Sequence, residues 1–306
     1  MSAAIDAALE PTDAWTRIRA GRTVPVLTFV VAILIVWYVA AILANGPATR
    51  MALANANPPP TPIQYVLATW AQQRPIVPAP HQIVVDFFNS TFIANPTTNR
   101  SLVYHAWATL APTLLGFAIG TLLGVLLAAA IVHVRSLDKS LMPWIIASQT
   151  VPILAIAPMI IVVLGSIGLT GVLPKAVIST YLSFFPVTVG MVKGFRSPLP
   201  IHLDLMRTYS ATRWQVFWAL RFPAAVPFLF ISMRIAIAAS LVGAIVGELP
   251  TGAPAGLGMR MLGGSYYGQT IIIWSALFAA AIVAAALVGL VGLADRLVAR
   301  RMGGRT

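Results

Sequence analysis

The chain has 306 residues, of which 58% are hydrophobic and only 9% are charged. A soluble domain carries roughly 25% charged residues, so this composition excludes a water-soluble protein and predicts a membrane protein. The net charge of +12 is expected to orient spans and to meet anionic lipid, and we expect no nucleic-acid partner. The absence of cysteine excludes disulfides, thiolate metal sites and cysteine nucleophiles.

Six apolar stretches are long enough to cross a bilayer, which takes roughly 20 residues. We therefore predict an all-α membrane protein with about six transmembrane helices, at residues 24–45, 105–132, 144–165, 172–192, 224–247 and 270–293. The first stretch follows three arginines, as a signal peptide would. It exceeds the roughly 7–15-residue apolar core of such peptides, so we interpret it as an uncleaved span.

Lysine and arginine are divided unevenly between the two sides that these spans define. Fourteen of the 20 lie before the first span, in the loop 133–140, in the stretch 193–223 or after residue 293, and five lie on the opposite side. Positive residues accumulate on the cytoplasmic side of membrane proteins. Both termini, with tails at 1–23 and 296–306, are therefore predicted to be cytoplasmic.

The segment 46–100 between the first two spans is then external. It holds nine of the 23 prolines, which prevent one long helix, and short helices are expected at about 62–73 and 81–90. We find no internal repeat and no soluble domain in the sequence. Residues 101–295 are treated as one transmembrane core.

Gly116, Gly120 and Gly124 recur every four residues in the second span. This spacing places them on one helix face, where another backbone can approach closely. We favour helix packing over a ligand role for this stripe.

Polar residues followed by prolines interrupt the third and fourth spans, at Gln149 and Thr150 and at Tyr181 and Ser183. A proline frees a backbone carbonyl, which hydroxyls or water must satisfy. These four residues are therefore candidates for lining a water-filled path. Local hydrogen bonding in kinked helices explains them equally well.

Arg234 and Glu248 are the two charged residues in or at the edge of the fifth span. An isolated arginine at that depth costs roughly 2.5–3.5 kcal/mol to insert, so Arg234 should face protein or water. Fourteen residues of helix separate the pair by about 21 Å, so each needs its own partner. Both are candidate path residues; for Arg234 we favour the alternative, a structural role capping carbonyls of a broken neighbouring helix.

The basic stretch 193–223 lies on the cytoplasmic side and carries five lysines or arginines. Between residues 201 and 221 apolar side chains recur at helical spacing, and polar ones lie on the other face. Prolines flank this part, and Pro223 is expected to end it. We predict one or two short helices that either rest on lipid or fit a groove on a soluble protein.

This stretch resembles the cytoplasmic coupling motif of ABC-importer permeases, which runs Glu-Ala-Ala, three residues, Gly, nine residues, Ile, one residue, Leu-Pro. Aligned on Pro223, the chain offers Asp204-Leu205-Met206, then Ser210, Leu220 and Phe222-Pro223. Serine stands where the motif has glycine, so the sharp turn must be made with Ser210.

The surroundings are similar to the nitrate/sulfonate/taurine branch over roughly residues 100–300. The stretches that carry this likeness are Tyr209-Ser210-Ala211-Thr212-Arg213-Trp214, Phe222-Pro223-Ala224-Ala225-Val226-Pro227, Met233-Arg234-Ile235-Ala236, Gly247-Glu248-Leu249, Gly256-Leu257-Gly258 and Phe184-Phe185-Pro186-Val187. The resemblance implies a type I ABC importer permease fold with a coupling segment at 196–223. The ATPase-coupling residues that it implies are Asp204, Leu205, Met206, Arg207, Tyr209, Ser210, Ala211, Thr212, Arg213, Trp214, Leu220 and Pro223.

The resemblance also implies a function and partners. The chain would be the permease subunit of an ATP-driven, binding-protein-dependent importer of the bacterial inner membrane, moving a small polar or anionic solute such as a sulfonate, taurine or nitrate by alternating access. Its partners would be a second, identical permease copy, two cytosolic ABC ATPase subunits and an extracytoplasmic solute-binding protein.

The sequence lacks a Walker A motif and, from the first span onward, has no paired carboxylates at helical spacing. We therefore expect no enzyme, no metal and no cofactor in this chain, with ATP and magnesium held by the ATPase. The alternative is a stand-alone secondary transporter or channel, which would need intramembrane carboxylates to carry ions. Only Glu248 qualifies.

Overall fold

The computed structural model describes residues 23–56, 59–250 and 252–302, which form helices and loops without any β-strand. The helices are α1 (Thr23–Leu53), α2 (Pro62–Trp70), α3 (Pro80–Phe88), α4 (Leu102–His133), α5 (Arg135–Ser148), α6 (Ile153–Ser166), α7 (Val172–Phe195), α8 (Pro200–Thr208), α9 (Arg213–Val216), α10 (Phe222–Glu248), α11 (Leu257–Tyr266) and α12 (Thr270–Arg301). Single π turns at Asn89–Ile93 and Phe217–Arg221 continue α3 and α9. Apart from Thr23, the predicted tail at 1–23 lies outside the described residues, as do residues 303–306.

Within the described chain, the helices α1, α4, α7 and α12, and α10 with the turn before it, are long and apolar enough to cross a membrane. The bent pair of α5 and α6 passes the same test when its two helices are taken together, which brings the number of candidate spans to six if the pair is one span. These spans confirm the all-α membrane fold with about six helices.

The third span differs from the single helix predicted at 144–165. α5 ends at Ser148, α6 begins at Ile153, and the two helices are bent by 99°. Pro152 causes the break, because its ring cannot continue a helix and disfavours a helical backbone at the residue before it. It instead precedes α6 with an extended backbone.

Residues 23–86 and 268–271 belong to one compact unit. In it, α1 extends to Leu53, past the predicted end at residue 45, although Pro47 lies inside the helix. The fully buried Asn45 accounts for this extension. Its Oδ1 accepts the N–H groups of Ile76 at 2.8 Å and Val77 at 3.2 Å, and its Nδ2 donates to the Val77 carbonyl at 2.9 Å. The segment after α1 is thereby folded back onto the helix.

Aromatic side chains reinforce the same unit. Tyr38 packs edge-on against Trp70, with ring centroids 5.0 Å apart, and stacks on His81 at 5.9 Å. Trp37 donates from Nε1 to the Pro78 carbonyl at 3.0 Å. The two short helices expected at 62–73 and 81–90 are confirmed as α2 and α3.

A second unit holds residues 87–267 and 272–302 of the described chain, and its core is the trio α4, α7 and α10. The glycine stripe of α4 faces a stripe of α7 with the same four-residue period. A Cβ added to a stripe glycine would collide with the α7 residue opposite it, in the pairs Gly116–Ser179, Gly120–Ser183 and Gly124–Val187. The role predicted for the stripe, helix packing, is confirmed.

Serine hydroxyls join the same three helices by hydrogen bonds. Ser183 Oγ donates to the Gly116 carbonyl at 3.1 Å, and Ser179 Oγ donates to the Ser240 carbonyl at 2.9 Å. Ser240 Oγ in turn donates to the Thr113 carbonyl at 2.7 Å. The glycine contacts and the hydroxyl bonds hold the backbones of the trio close. A cluster of buried apolar side chains also joins α4 to α7, and it includes Ile131, Met191 and Phe195.

Candidate functional site

The coupling segment, residues 196–223, folds into two short helices separated by a turn, which is one of the two forms predicted. Pro200 opens α8, where the N–H that proline lacks is not needed. Thr212 opens α9 with a capping box: its Oγ1 accepts the Gln215 N–H at 3.3 Å, and Gln215 Oε1 accepts the Thr212 N–H at 2.8 Å. Both helix starts are therefore determined locally.

Ser210 makes the turn between α8 and α9. Its φ is 54°, and no other non-glycine residue in the described ranges has a positive φ. Its N–H donates to the Arg207 carbonyl at 2.8 Å, and the Ala211 N–H donates to the Met206 carbonyl at 3.0 Å. A left-handed backbone costs a residue with a Cβ roughly 1–2 kcal/mol. The turn that the coupling motif makes with glycine is thus present, made by serine.

The outer side of the coupling segment presents apolar side chains to its surroundings. The exposed fractions of Leu205, Tyr209 and Trp214 are 53%, 76% and 68%. Next to them, Asp204 Oδ1 pairs with Arg207 Nη1 at 2.8 Å, and both side chains are exposed. This mixture of large apolar groups and a carboxylate suits a protein-binding surface.

The inner side of the segment is attached to the spans. Phe217 is buried and packs against Phe195 and His133, with ring centroids 5.2 and 5.0 Å apart. Arg221 Nη1 donates to the Phe195 carbonyl at 3.3 Å. These contacts fix the segment to the ends of α7 and α4.

Pro223 does not end the coupling helix, contrary to the prediction. The helix continues without a break from Arg213 to Glu248, so that the last eleven residues of the coupling segment belong to the fifth span. The π turn makes this possible, because the Phe222 N–H donates five residues back to Phe217. The missing N–H of Pro223 then falls at the start of α10, where helices tolerate proline.

Three of the candidate path residues meet at the break between α5 and α6. Gln149 and Thr150 are exposed in the break itself. Tyr181 of α7 donates its hydroxyl to the carbonyl of Ser148, the last residue of α5, which also accepts the Val151 N–H at 3.4 Å. Ser183 lies apart from them, buried against Gly116 of α4.

Arg234 has a different partner from the one favoured on sequence grounds. Its Nη2 lies 2.5 Å from Oδ2 of Asp295 on α12, and both side chains are partly exposed. The separation of 61 residues between the two is invisible to local patterns. The charge that the fifth span carries is therefore balanced within the chain, and a contact of Arg234 with solute remains a prediction.

Glu248 is fully buried at the end of α10. Its Oε1 accepts the Thr109 hydroxyl at 2.7 Å, and its Oε2 accepts the Gly258 N–H at 2.7 Å. Beside it, His105 Nδ1 accepts the Gly256 N–H at 3.0 Å. The φ of Gly256 is 142°, and a Cβ there would collide with the Glu248 carboxylate.

This Glu248 cluster anchors the start of α11 to α4. The sequence pattern did not indicate Thr109 or His105 as partners of Glu248. The two glycines of Gly256-Leu257-Gly258 were a usable signal, since close backbone approach to a side chain requires them. A path-lining role for Glu248 remains a prediction, and in this structure its carboxylate faces protein groups.

In the part of the chain that the structure describes, no three His, Asp or Glu side chains lie close enough together to hold a metal ion. The chemistry on offer is therefore hydrogen bonding, ion pairing and apolar packing.

Residues 120–304 match the family described as the binding-protein-dependent transport system inner membrane component. The chain belongs to this family. The permease is 30% identical to the riboflavin transport system permease protein RibX of Chloroflexus aurantiacus, over 74% of this chain and 80% of the relative. It is 32% identical to the formylaminopyrimidine transport permease protein ThiX of Halalkalibacterium halodurans, over 60% and 68% of the two chains. It is 25% identical to the nitrate import permease protein NrtB of Synechocystis sp., over 73% and 78%.

Membership of this family assigns the chain its class. The permease is a non-catalytic, multi-pass subunit of the inner membrane with the type I ABC importer fold, and ATP hydrolysis belongs to a separate ATPase subunit. It works with that ATPase and with a solute-binding protein as an ATP-driven importer. The alternative of a stand-alone secondary transporter or channel gains no support.

Proposed function

We propose that the permease forms a homodimer with both termini in the cytoplasm and imports a small polar or anionic solute, such as nitrate, a sulfonate or taurine, by alternating access. Two cytosolic ABC ATPase subunits, which hold ATP and magnesium, bind the coupling segments. An extracytoplasmic protein delivers the solute. The likeness to the nitrate permease supports an anionic solute; the names of the other two relatives refer to heterocyclic solutes.

The turn at Ser210 is the observation that carries this proposal. A positive φ at a residue with a Cβ is energetically unfavourable and persists where the surrounding structure requires it. Here it turns the chain between α8 and α9 so that Leu205, Tyr209 and Trp214 remain exposed together on one short segment. A groove on a soluble partner that receives such a knob buries these side chains.

The path of the solute is proposed to run beside the break between α5 and α6. A helix interrupted at membrane depth leaves backbone groups that face a cavity or protein. Gln149, Thr150 and Tyr181 are the polar side chains at this break. They supply neutral hydrogen-bonding groups, which suits solutes of different charge.

The exposed residues Asp204, Leu205, Tyr209 and Trp214 form what we call the docking surface. A charge reversal at Asp204 tests it. The permease is coexpressed with its ATPase, and the ATPase retained on the tagged permease is measured after purification. We expect Asp204→Lys to lower retention at least about tenfold, since a repulsive charge in a docked surface costs more than 1.4 kcal/mol. Ser136→Lys is the matched control, because Ser136 is exposed on the same side outside the segment.

The double variant Asp204→Lys/Arg207→Glu sharpens this experiment. It restores an ion pair within α8 with the charges exchanged. Retention should stay low if Asp204 faces the ATPase. Recovery of retention in the double variant would show that Asp204 only stabilises α8, and the docking assignment would fail.

Cysteine labelling tests which side of the membrane the coupling segment faces. The chain has no cysteine of its own, so any label on the permease reports the introduced thiol. Ser136→Cys and Thr97→Cys introduce exposed thiols on opposite predicted sides. In intact cells, a membrane-impermeant maleimide should label Thr97→Cys alone and reach Ser136→Cys only after permeabilisation. The reverse pattern would place the coupling segment outside the cell.

A further inference from the structure

A cavity of about 430 Å³ lies between the end of α4 and the coupling segment. Its polar lining consists of His133, Arg207, Arg213 and Arg221, and its apolar lining includes Val132 and Leu203. We call it the basic cavity. Its lining includes no acidic side chain.

The positive charges of the basic cavity are only partly balanced. Arg207 pairs with Asp204, while Arg221 donates to a neutral carbonyl, that of Phe195. Arg213 makes no ion pair with any residue in the described ranges. Like charges that converge on one cavity repel each other, so an anion bound there would stabilise the arrangement.

The basic cavity lies at the end of a helix that is long and apolar enough to cross a membrane. One wall is the last turn of α4, a membrane-spanning helix that ends at His133. Trp218, which is not among the side chains proposed to dock the ATPase, stands close by on the coupling segment and is exposed. Exposed tryptophans of membrane proteins concentrate at the level of the lipid headgroups.

The basic cavity and the docking surface lie on different faces of α8. Leu203 and Arg207 are four residues apart, share a face and line the cavity. Leu205, two residues beyond Leu203, is about 200° around the helix and is exposed. A protein that covers Leu205 and Tyr209 therefore leaves the cavity side of α8 to another occupant.

We propose that the basic cavity binds the phosphate headgroup of an anionic lipid. Arg213 and Arg221, which have no carboxylate partner among the described residues, supply the charge. His133 adds a polar ring, and Val132 supplies an apolar edge for the first acyl carbons. Basic pockets between spans on the cytoplasmic side suit such headgroups. The inference uses the orientation proposed above for the leaflet involved. The bound lipid holds the coupling segment against the end of α4.

Native mass spectrometry of the delipidated full-length permease tests the site. Phosphatidylglycerol and phosphatidylcholine of equal chain length are titrated in parallel, and inorganic phosphate is added as a competitor. We expect preferential binding of phosphatidylglycerol that Arg213→Gln/Arg221→Gln weakens about tenfold, as each arginine near anionic lipid contributes measurably. Arg213→Gln alone, at an exposed position, should weaken it about threefold.

The matched control Lys139→Gln/Lys193→Gln removes two exposed charges from the same predicted side outside the cavity and should leave binding within about twofold. Equal loss in the control and cavity variants, or equal binding of phosphatidylcholine, would overturn the site. Displacement of the lipid by inorganic phosphate alone would show a free-anion site instead.

ATPase retention is measured on Arg221→Gln, because Arg221 lines the basic cavity and is not one of the predicted coupling residues, whereas Arg213 is. Retention that survives in Arg221→Gln while lipid binding falls supports a lipid occupant. Unchanged lipid binding with lost retention would assign the basic cavity to an acidic group of the ATPase, which overturns the lipid and keeps the docking proposal. If Asp204→Lys leaves ATPase retention unchanged while the preference for phosphatidylglycerol is intact, the docking proposal fails and the lipid site stands.

Discussion

The α4–α7–α10 core and the coupling segment use polar residues in opposite ways. In the core, the hydroxyls of Ser179, Ser183 and Ser240 each bond to a carbonyl of the chain. In the coupling segment, neither α8 nor α9 has a buried residue. The serines of the core bond within the chain, whereas the coupling segment has the composition of a surface that another molecule completes.

The largest effect is expected from enlarging the glycine stripe. A Cβ at Gly120 would lie 3.1 Å from the Phe184 nitrogen and closer still to the Ser183 hydroxyl. Gly120→Leu should therefore lower the free energy of unfolding by at least about 3 kcal/mol and reduce the folded yield. Both are measured on detergent-purified protein by thermal unfolding and gel filtration.

Gly289→Leu is the matched control for Gly120→Leu. Gly289 is also helical, in α12, but no atom lies within 4 Å of a Cβ placed there. It should fold like the parent chain. Equal losses in the two variants would mean that leucine itself, rather than the close approach of α4 and α7, is responsible.

A second large effect is expected at Glu248. Its substitution tests whether the buried hydrogen bonds to Thr109 and Gly258 contribute to stability. Glu248→Ala removes both acceptors from Thr109 and Gly258 in a fully buried place and should cost about 3 kcal/mol of unfolding free energy. Glu248→Gln keeps one carbonyl oxygen and should cost about half as much. Hydrogen exchange at the start of α11 should rise in parallel; unchanged exchange would contradict the anchoring role.

A smaller effect is expected at the ion pair between Arg234 and Asp295. Both side chains are partly exposed, which reduces the strength of the pair. A double-mutant cycle with Arg234→Met and Asp295→Leu should give a coupling energy of roughly 1 kcal/mol in the unfolding free energy. Solute uptake by the double variant separates the two roles. Normal uptake would show that Arg234 does not contact the solute.

The smallest effect is expected at Ser210, in the exposed region. Ser210→Gly relieves the left-handed backbone and should raise the stability of the segment by up to about 1 kcal/mol, with ATPase retention kept or improved. Ser210→Val, with a branched Cβ, should lower retention severalfold. If ATPase retention is the same in both variants as in the parent chain, the turn at Ser210 does not contribute to ATPase docking.

Much of the fold was predictable because spans follow composition and length. The stripe at Gly116, Gly120 and Gly124 indicated close packing by spacing alone, and serine at position 210 indicated a strained turn. A kink near Pro152 was expected from the sequence, but the separation into two helices bent by 99° was not, because hydropathy continues unchanged across the proline. Apolar content determines that a stretch enters the membrane, and backbone hydrogen bonding determines whether it is one helix.

The side-chain clusters were not predictable, since their members are distant in sequence. Thr109 and Glu248 are 139 residues apart, and Asn45 gathers carbonyls and N–H groups about 30 residues away. Asp295 looked like an ordinary residue at the end of the last span. The pairing of polar groups depends on how the helices pack. The periodic pattern within one helix does not identify the residues of the helix beside it.

The unbroken helix from Arg213 to Glu248 joins the two polar ends of the molecule. Its 36 residues extend for roughly 54 Å, well beyond a hydrocarbon core of roughly 30 Å. A tilt of the helix at Trp214 would therefore displace the carboxylate of Glu248, together with Gly256 and Gly258, which contact it. The helix has a π turn at Phe217–Arg221. Movement of the coupling segment at one end of this helix would therefore loosen the loop between α10 and α11 at the other end.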